Sequence, residues 1–229
     1  MKYLAAFLIM IIGISSCKKI KTPDAIAERE KWVSSFSDSV EYYKDMSDRI
    51  SLNLDEINSE IETLLSNFEM VRNPREVSGY YIMKGWNSKL PLINTGIYAR
   101  INENEKLELI ATLGGATFNQ IGVNGIQSDV VRHDQAFNYR HERFNTVYFS
   151  GSKADSVAQY IAENYQKPLT LYYLEGSVKK SFSLPADEKN MIEKTWRLYS
   201  LKKQALSLQK ELWLCSRKIE TLRRFMNEE

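Results

Sequence analysis

Two long segments place apolar residues at alternating spacings of three and four, and this pattern constrains the fold more than any other feature. The first segment runs from Val33 to Val71, and the second runs from Met191 to Met226. A mean spacing of 3.5 residues, kept over this length, is typical of a coiled-coil seam. The predicted seam contains Val33, Phe36, Val40, Ile50, Leu54, Ile57, Ile61, Leu64, Leu198, Leu201, Leu208, Leu212, Ile219 and Leu222.

Residues that start and stop helices set the bounds of both segments. The sequence Thr-Pro-Asp at 22–24 is typical of a helix start, because threonine caps, proline fits the first helical position and an acid favours the positive dipole end. Pro74 drives the preceding residue out of helical geometry, and Pro185 precedes the second segment. We therefore predict helices over 23–73 and 185–229.

The two predicted helices have opposite charge. Residues 24–72 hold 12 acidic and 5 basic residues, whereas residues 186–229 hold 7 acidic and 10 basic residues. Opposite charge favours pairing between the segments over self-pairing of either one. We predict an antiparallel two-helix coiled coil that places Val40 near Leu222. The alternative is pairing between copies in a homo-oligomer.

The residues between these helices, 74–184, change to the period of two that is typical of β-strands. The strongest hairpin signal is Asn124-Gly125, which suits a type I′ turn. One helix interrupts the strands, and its start at Ser152-x-x-Asp155 has the pattern of a variant capping box. The fold class is therefore α+β, with a twisted antiparallel sheet or partly open barrel of about seven or eight strands. The predicted strands are 78–86, 96–102, 107–113, 118–123, 126–131, 145–151, 169–176 and 178–184.

A different signal lies at the start of the chain. The apolar run from Tyr3 to Ile14 is shorter than the roughly 20 residues that span a bilayer, and a short basic start with small residues after the run is typical of a secretory signal. The sequence Ile14-Ser15-Ser16-Cys17 resembles the lipobox of bacterial lipoproteins. The resemblance implies a signal peptide over 1–16, acylation of Cys17 by chains such as palmitate, and a lipidated tether over 17–22.

The residues after Cys17 bear on location. Lys18 replaces the aspartate that retains some lipoproteins at the inner membrane, and no acidic run follows. We predict a lipid-anchored envelope protein at the outer membrane, facing the periplasm. Acylated Cys17 would leave Cys215 as the one thiol, which excludes an intrachain disulfide.

The densest polar cluster of the sequence lies at 131–144 and contains both histidines. His133 and His141 are eight residues apart, a spacing that fits no standard metal motif. We predict no metal and no cofactor, and we interpret the cluster as an exposed polar loop, with anion or partner binding as its alternative role. Its members are Arg132, His133, Arg140, His141 and Arg143.

Aromatic residues crowd the middle domain. Neighbours on a strand point to opposite faces, so one member of each pair belongs to the core and the other is available to a binding surface. These residues are Tyr80, Tyr81, Trp86, Tyr98, Phe118, Tyr148, Phe149, Tyr172 and Tyr173.

The balance of 31 basic and 29 acidic residues disfavours nucleic acid as a partner. We predict a non-catalytic envelope lipoprotein whose coiled coil presents the α+β domain for binding or assembly, with membrane lipid and an envelope protein as partners. The alternative is an accessory component of an envelope transport or efflux assembly. A hydrolase is the least favoured class, because the sequence lacks a convincing nucleophile and base.

Overall fold

The computed structural model describes residues 23–72, 78–89, 94–132 and 144–227. The predicted α+β class is confirmed, with long N- and C-terminal helices and two antiparallel sheets. Among the described residues, no helix combines the length and hydrophobicity needed to span a bilayer. The helices are α1 Pro23–Leu65, α2 Trp86–Lys89, α3 Ser152–Glu163 and α4 Ala186–Asn227.

The described residues contain nine strands, where about seven or eight were predicted in one sheet or barrel. A five-stranded sheet has the order β1-β2-β3-β4-β7, and a four-stranded sheet has the order β6-β5-β8-β9. The strands are β1 Phe68–Val71, β2 Tyr80–Met83, β3 Gly96–Asn102, β4 Leu107–Gly114, β5 Gln120–Val123, β6 Ile126–Gln127, β7 Phe144–Ser150, β8 Thr170–Glu175 and β9 Val178–Ser183.

The first helix ends at Leu65, so the predicted helix over 23–73 is too long. Asn67 donates its backbone N–H to the carbonyl of Leu64 at 2.9 Å, a tight turn that ends the helix. Phe68–Val71 then pairs with β2, with Phe68 opposite Met83. Apolar residues three apart in so short a stretch fit either a helix or a strand, and pairing with β2 decides the outcome.

The backbone angles of two turns explain the predicted β5–β6 hairpin and correct the predicted start of α3. Asn124 and Gly125 have φ of 48° and 84°, as a type I′ turn between β5 and β6 requires. The predicted capping box at Ser152 is wrong, because α3 has Gly151 as its N-cap and no side-chain cap. Gly151 has φ of 92°, which turns the chain directly from β7 into the helix.

The described residues form two compact units, one of residues 23–50 with 211–227 and one of residues 51–210. In the first unit, Val40, Ile50 and Cys215 are buried. The ring of Phe36 stacks on Phe225 at a centroid distance of 6.4 Å. Lys218 donates from Nζ to the hydroxyl of Tyr43 at 3.0 Å.

In the second unit, aromatic rings join the two sheets. The ring of Phe118 packs edge-on against Tyr173 of β8 at 4.9 Å and lies tilted against Phe149 of β7 at 6.3 Å. Helix α3 lies against strands β4 to β7 and buries its apolar face, including Val157 and Ile161. One continuous core therefore lies beneath both sheets.

Candidate binding face of the five-stranded sheet

The predicted polar loop lies almost entirely outside the described residues. Arg132 is described and exposed. His133, Arg140, His141 and Arg143 lie outside the described ranges, as does Cys17. Their assignments to anion binding and lipidation therefore stay predictions.

The predicted seam residues differ in burial. Val40, Ile50, Ile57 and Leu198 are buried, whereas Val33 is 41% exposed. The remaining seam residues are half-buried, namely Phe36, Leu54, Ile61, Leu64, Leu201, Leu208, Leu212, Ile219 and Leu222.

Strand register gathers polar side chains on one face of the five-stranded sheet. Arg100 of β3 lies opposite Glu108 of β4, and Glu108 lies opposite Ser150 of β7. Since paired residues in antiparallel strands share a face, these side chains project from the same side. We call this side the polar sheet face, and its members are Tyr80, Tyr98, Arg100, Asn102, Glu108, Thr112, Thr146, Tyr148 and Ser150.

Arg100 is the centre of the polar sheet face. Its Nε donates to Oε2 of Glu108 at 2.7 Å, and Nδ2 of Asn102 donates to Oε1 of the same carboxylate at 3.1 Å. The guanidinium carbon lies 4.1 Å from the ring centroid of Tyr80 and 5.2 Å from that of Tyr148. Arginine over aromatic rings gains cation–π attraction, which is strongest where water is excluded.

The charges of this cluster cancel. Side-chain exposure is 9% for Arg100 and 20% for Glu108, so the ion pair is largely withdrawn from water. A buried ion pair adds little net stability over an apolar pair, because desolvation offsets the attraction. The cluster therefore gives the face polarity and shape at little gain in stability.

Thr112 adds an unsatisfied hydroxyl to the same face. The residue is 4% exposed, and its Oγ1 has no hydrogen-bond partner among the described residues. Thr146 lies opposite it on β7 and is 7% exposed. Because buried polar atoms in native proteins are nearly always paired, this hydroxyl is an unusual polar atom within the polar sheet face.

A second buried polar group lies at the start of α4. The carboxylate of Glu188 accepts a hydrogen bond from the backbone N–H of Ile97 at 3.0 Å, and the hydroxyl of Tyr173 donates to the carbonyl of Gly96 at 2.9 Å. Burial raises the pKa of Glu188 to about 7, against the lowering effect of the Ile97 hydrogen bond. Burial also raises the pKa of Tyr173. These contacts satisfy backbone groups of β3, which makes this cluster structural.

An open groove of about 290 Å³ lies between α1, α3 and α4 within the second unit. Arg197 on its wall donates from Nε to Glu60 at 2.8 Å, and the ring of Trp196 packs on Tyr199 at 5.6 Å. Over half of the Arg197 side chain is exposed, so this ion pair is well solvated and adds little energy. The polar sheet face is the better candidate site.

The sequence identified the tyrosines of this face but missed its charges. Phe149 and Tyr173 are core residues, while their neighbours Tyr148 and Tyr172 are half-buried, which confirms the alternation predicted for these pairs. Arg100 and Glu108 were missed because each was read as one polar position in a strand. A hairpin register between the predicted strands 96–102 and 107–113 would have brought them together.

No protein-family model, no curated protein and no solved structure matches the chain. Among the described residues, no group of three or more histidine, cysteine or acidic side chains is placed to hold a metal ion.

Proposed function

We propose that the protein is a lipid-anchored, non-catalytic component of the bacterial cell envelope whose second unit binds an envelope protein through the polar sheet face. The observation that carries the proposal is the Arg100 cluster, in which one guanidinium meets a carboxylate and two tyrosine rings. Arginine and tyrosine are the residues that most often carry the energy of protein interfaces.

The same geometry gives Glu108 a positioning role beside Arg100. Both oxygens of its carboxylate already accept hydrogen bonds, one from Arg100 and one from Asn102. Hydrogen bonds to charged groups are stronger than those between neutral groups, so the two bonds fix the orientation of the carboxylate. This carboxylate therefore holds the guanidinium in place between the rings.

The proposal also includes pairing of the two long helices as an antiparallel coiled coil. Within the first unit, Phe36 meets Phe225 and Tyr43 meets Lys218. Within the second unit, Glu60 meets Arg197. Residue numbers that rise along α1 are matched by numbers that fall along α4, which supports antiparallel pairing.

Disulfide trapping tests this pairing against the homo-oligomer. We expect Val40→Cys with Leu222→Cys to form an intrachain disulfide when Cys17 is serine and Cys215 is alanine. The matched control pairs Val40→Cys with Leu212→Cys, which the antiparallel register places too far apart. A disulfide-linked dimer, or equal trapping in the control, would refute the hairpin.

The lipid anchor is tested by labelling cells with palmitate. We expect Cys17→Ser to lose the palmitate label, because Cys17 is the acylated residue in this proposal. Cys215→Ser is the matched control, since Cys215 is the other cysteine and is buried. A label that persists in Cys17→Ser, or that is absent from the wild-type chain, would contradict the lipid anchor.

The binding face is tested with a photo-crosslinking amino acid at Ser150, an exposed residue opposite Glu108. We expect an adduct with an envelope protein in intact cells. The control position is Ser181, an exposed serine opposite Tyr172 on the four-stranded sheet. Adducts of equal yield at both positions, or none at Ser150 in folded protein, would reject this face as the binding site.

A further inference from the structure

We propose that an aromatic cluster of the first unit, formed by Trp32, Phe36 and Phe225, is a surface that inserts into the headgroup region of an anionic bilayer. Trp32 packs edge-on against Phe36 at 6.0 Å, and Phe36 stacks on Phe225 at 6.4 Å. We call these residues the terminal aromatic cluster. The inference rests on the proposed acylation of Cys17.

The cluster exposes an unusual amount of aromatic surface. Trp32 is 39% exposed and Phe225 is 57% exposed, and the neighbouring Val33 is 41% exposed. Isolated exposed apolar residues are ordinary, but adjoining ones mark a surface that a partner covers. Tryptophan in particular favours the membrane interface, where its ring meets apolar chains and its N–H stays wet.

The position of Cys17 identifies the bilayer as the partner. Pro23 follows Cys17 by six positions, which span at most about 20 Å. Trp32 lies nine residues further along the chain, or about 14 Å of helix. An acyl chain on Cys17 therefore brings the cluster within reach of the membrane surface.

Two other exposed aromatic residues of the same unit lie on the same helices, away from the terminal aromatic cluster. Tyr42 is 63% exposed and follows Trp32 by ten residues, about 15 Å of helix. Trp213 is 58% exposed and precedes Phe225 by twelve residues, about 18 Å of helix. These two residues provide a control pair that is at least as exposed as Trp32 and Phe225.

Charge in the connecting segment favours anionic lipid. Lys18, Lys19 and Lys21 lie between Cys17 and the start of α1. Basic residues next to a lipid anchor are attracted by anionic headgroups, and the attraction falls with added salt. The aromatic cluster then supplies a contact that salt does not weaken.

The test uses the chain from residue 17 with Cys17→Ser, which lacks the acyl group and retains every described residue. Its partition onto vesicles of phosphatidylethanolamine and phosphatidylglycerol is measured by sedimentation. We expect Trp32→Ala with Phe225→Ala to lower the partition coefficient about tenfold or more, because two exposed rings lose their burial. Tyr42→Ala with Trp213→Ala should change it less than twofold.

Equal losses in the two double variants, or no loss in either, would overturn the proposal. Brominated lipids give a second readout in the otherwise unchanged Cys17→Ser chain. Quenching of tryptophan fluorescence should disappear with Trp32→Phe and persist with Trp213→Phe, and the reverse would also overturn the proposal. A monomer–dimer equilibrium abolished by Trp32→Ala would instead assign the cluster to a second copy.

The outcome separates this surface from the lipid anchor itself. Palmitate labelling of Cys17 without a specific effect of Trp32 and Phe225 would refute the surface and leave the anchor. Vesicle binding through the cluster in a chain whose Cys17 is never labelled would refute the anchor and leave the surface.

Discussion

We predict that the buried carboxyl group of Glu188 makes the stability of the second unit depend on pH. It is 5% exposed and accepts a hydrogen bond from the backbone N–H of Ile97. Replacement by glutamine keeps an oxygen that accepts this hydrogen bond and removes the ionisable group. Glu188→Gln therefore isolates the free energy of placing a negative charge at this position.

The expected size follows from the pKa of Glu188, which burial raises from 4.5 to about 7. The folded state then binds more protons than the unfolded state between these values, so stability falls as pH rises from 4.5 through 7. This rise in pKa from 4.5 to about 7 corresponds to a free-energy cost of about 3 kcal/mol for ionising Glu188 in the folded state. For a chain of this size, that free energy shifts Tm by about 6–12 °C.

Thermal unfolding followed by circular dichroism between pH 4.5 and 8.5 measures this effect. We expect wild type and Glu188→Gln to have similar Tm at pH 4.5, and we expect the variant to unfold at a higher temperature at pH 8. Glu193→Gln on the same helix controls for the loss of one negative charge. Other titrating groups cancel in the difference between variant and wild type.

Two results would refute this reasoning. Parallel pH profiles for wild type and Glu188→Gln would mean that the carboxyl titrates as in water. A variant that is less stable at pH 8 would mean that the charged form is stabilised by its surroundings. In either case burial would not dominate the pKa of Glu188.

Three further substitutions test the fold and the polar sheet face by urea unfolding. Arg100→Leu should destabilise by about 3 kcal/mol because it leaves Glu108 uncompensated, and the double variant Arg100→Leu, Glu108→Leu should recover most of the loss; an equal loss in both would contradict the ion-pair argument. Thr112→Val should stabilise the free chain by about 1 kcal/mol, since it removes an unsatisfied buried hydroxyl; a loss of stability would show that the hydroxyl has a partner. Gly125→Ala should destabilise by about 1 kcal/mol because φ is 84° there, and no effect would mean that the turn relaxes.

Local sequence patterns predicted the helices and strands well where residues close in sequence determine the structure. Strand β3 has the predicted bounds, Gly96–Asn102, and α4 begins one residue after the predicted start at Pro185. Strand pairing is decided by residues far apart in sequence. The sequence therefore predicted the individual strands of the middle domain but not their division into two sheets.

Glu188 and Arg100 show how distant neighbours change the role of a residue. In the sequence, Glu188 is an acid in the first turn of a helix, a common and solvated position. The fold places it against Ile97, 91 residues away, where burial changes its chemistry. Arg100 likewise belongs to the candidate site because it contacts Tyr148, which lies on β7 next to β4.

Residues on β3, β4 and β7 of the five-stranded sheet alternate between an apolar face and the polar sheet face. Along β3, β4 and β7, odd-numbered positions such as Ala99, Leu109 and Phe149 are apolar and buried in the core. Even-numbered positions carry the polar sheet face, including Arg100 and Glu108, together with the buried Ile110 and Tyr98. Because successive side chains alternate between faces, a scan along β4 should alternate between loss of stability at odd positions and loss of partner crosslinking at even ones. Losses of both kinds at the same positions would mean that the polar sheet face is only a second layer of the core.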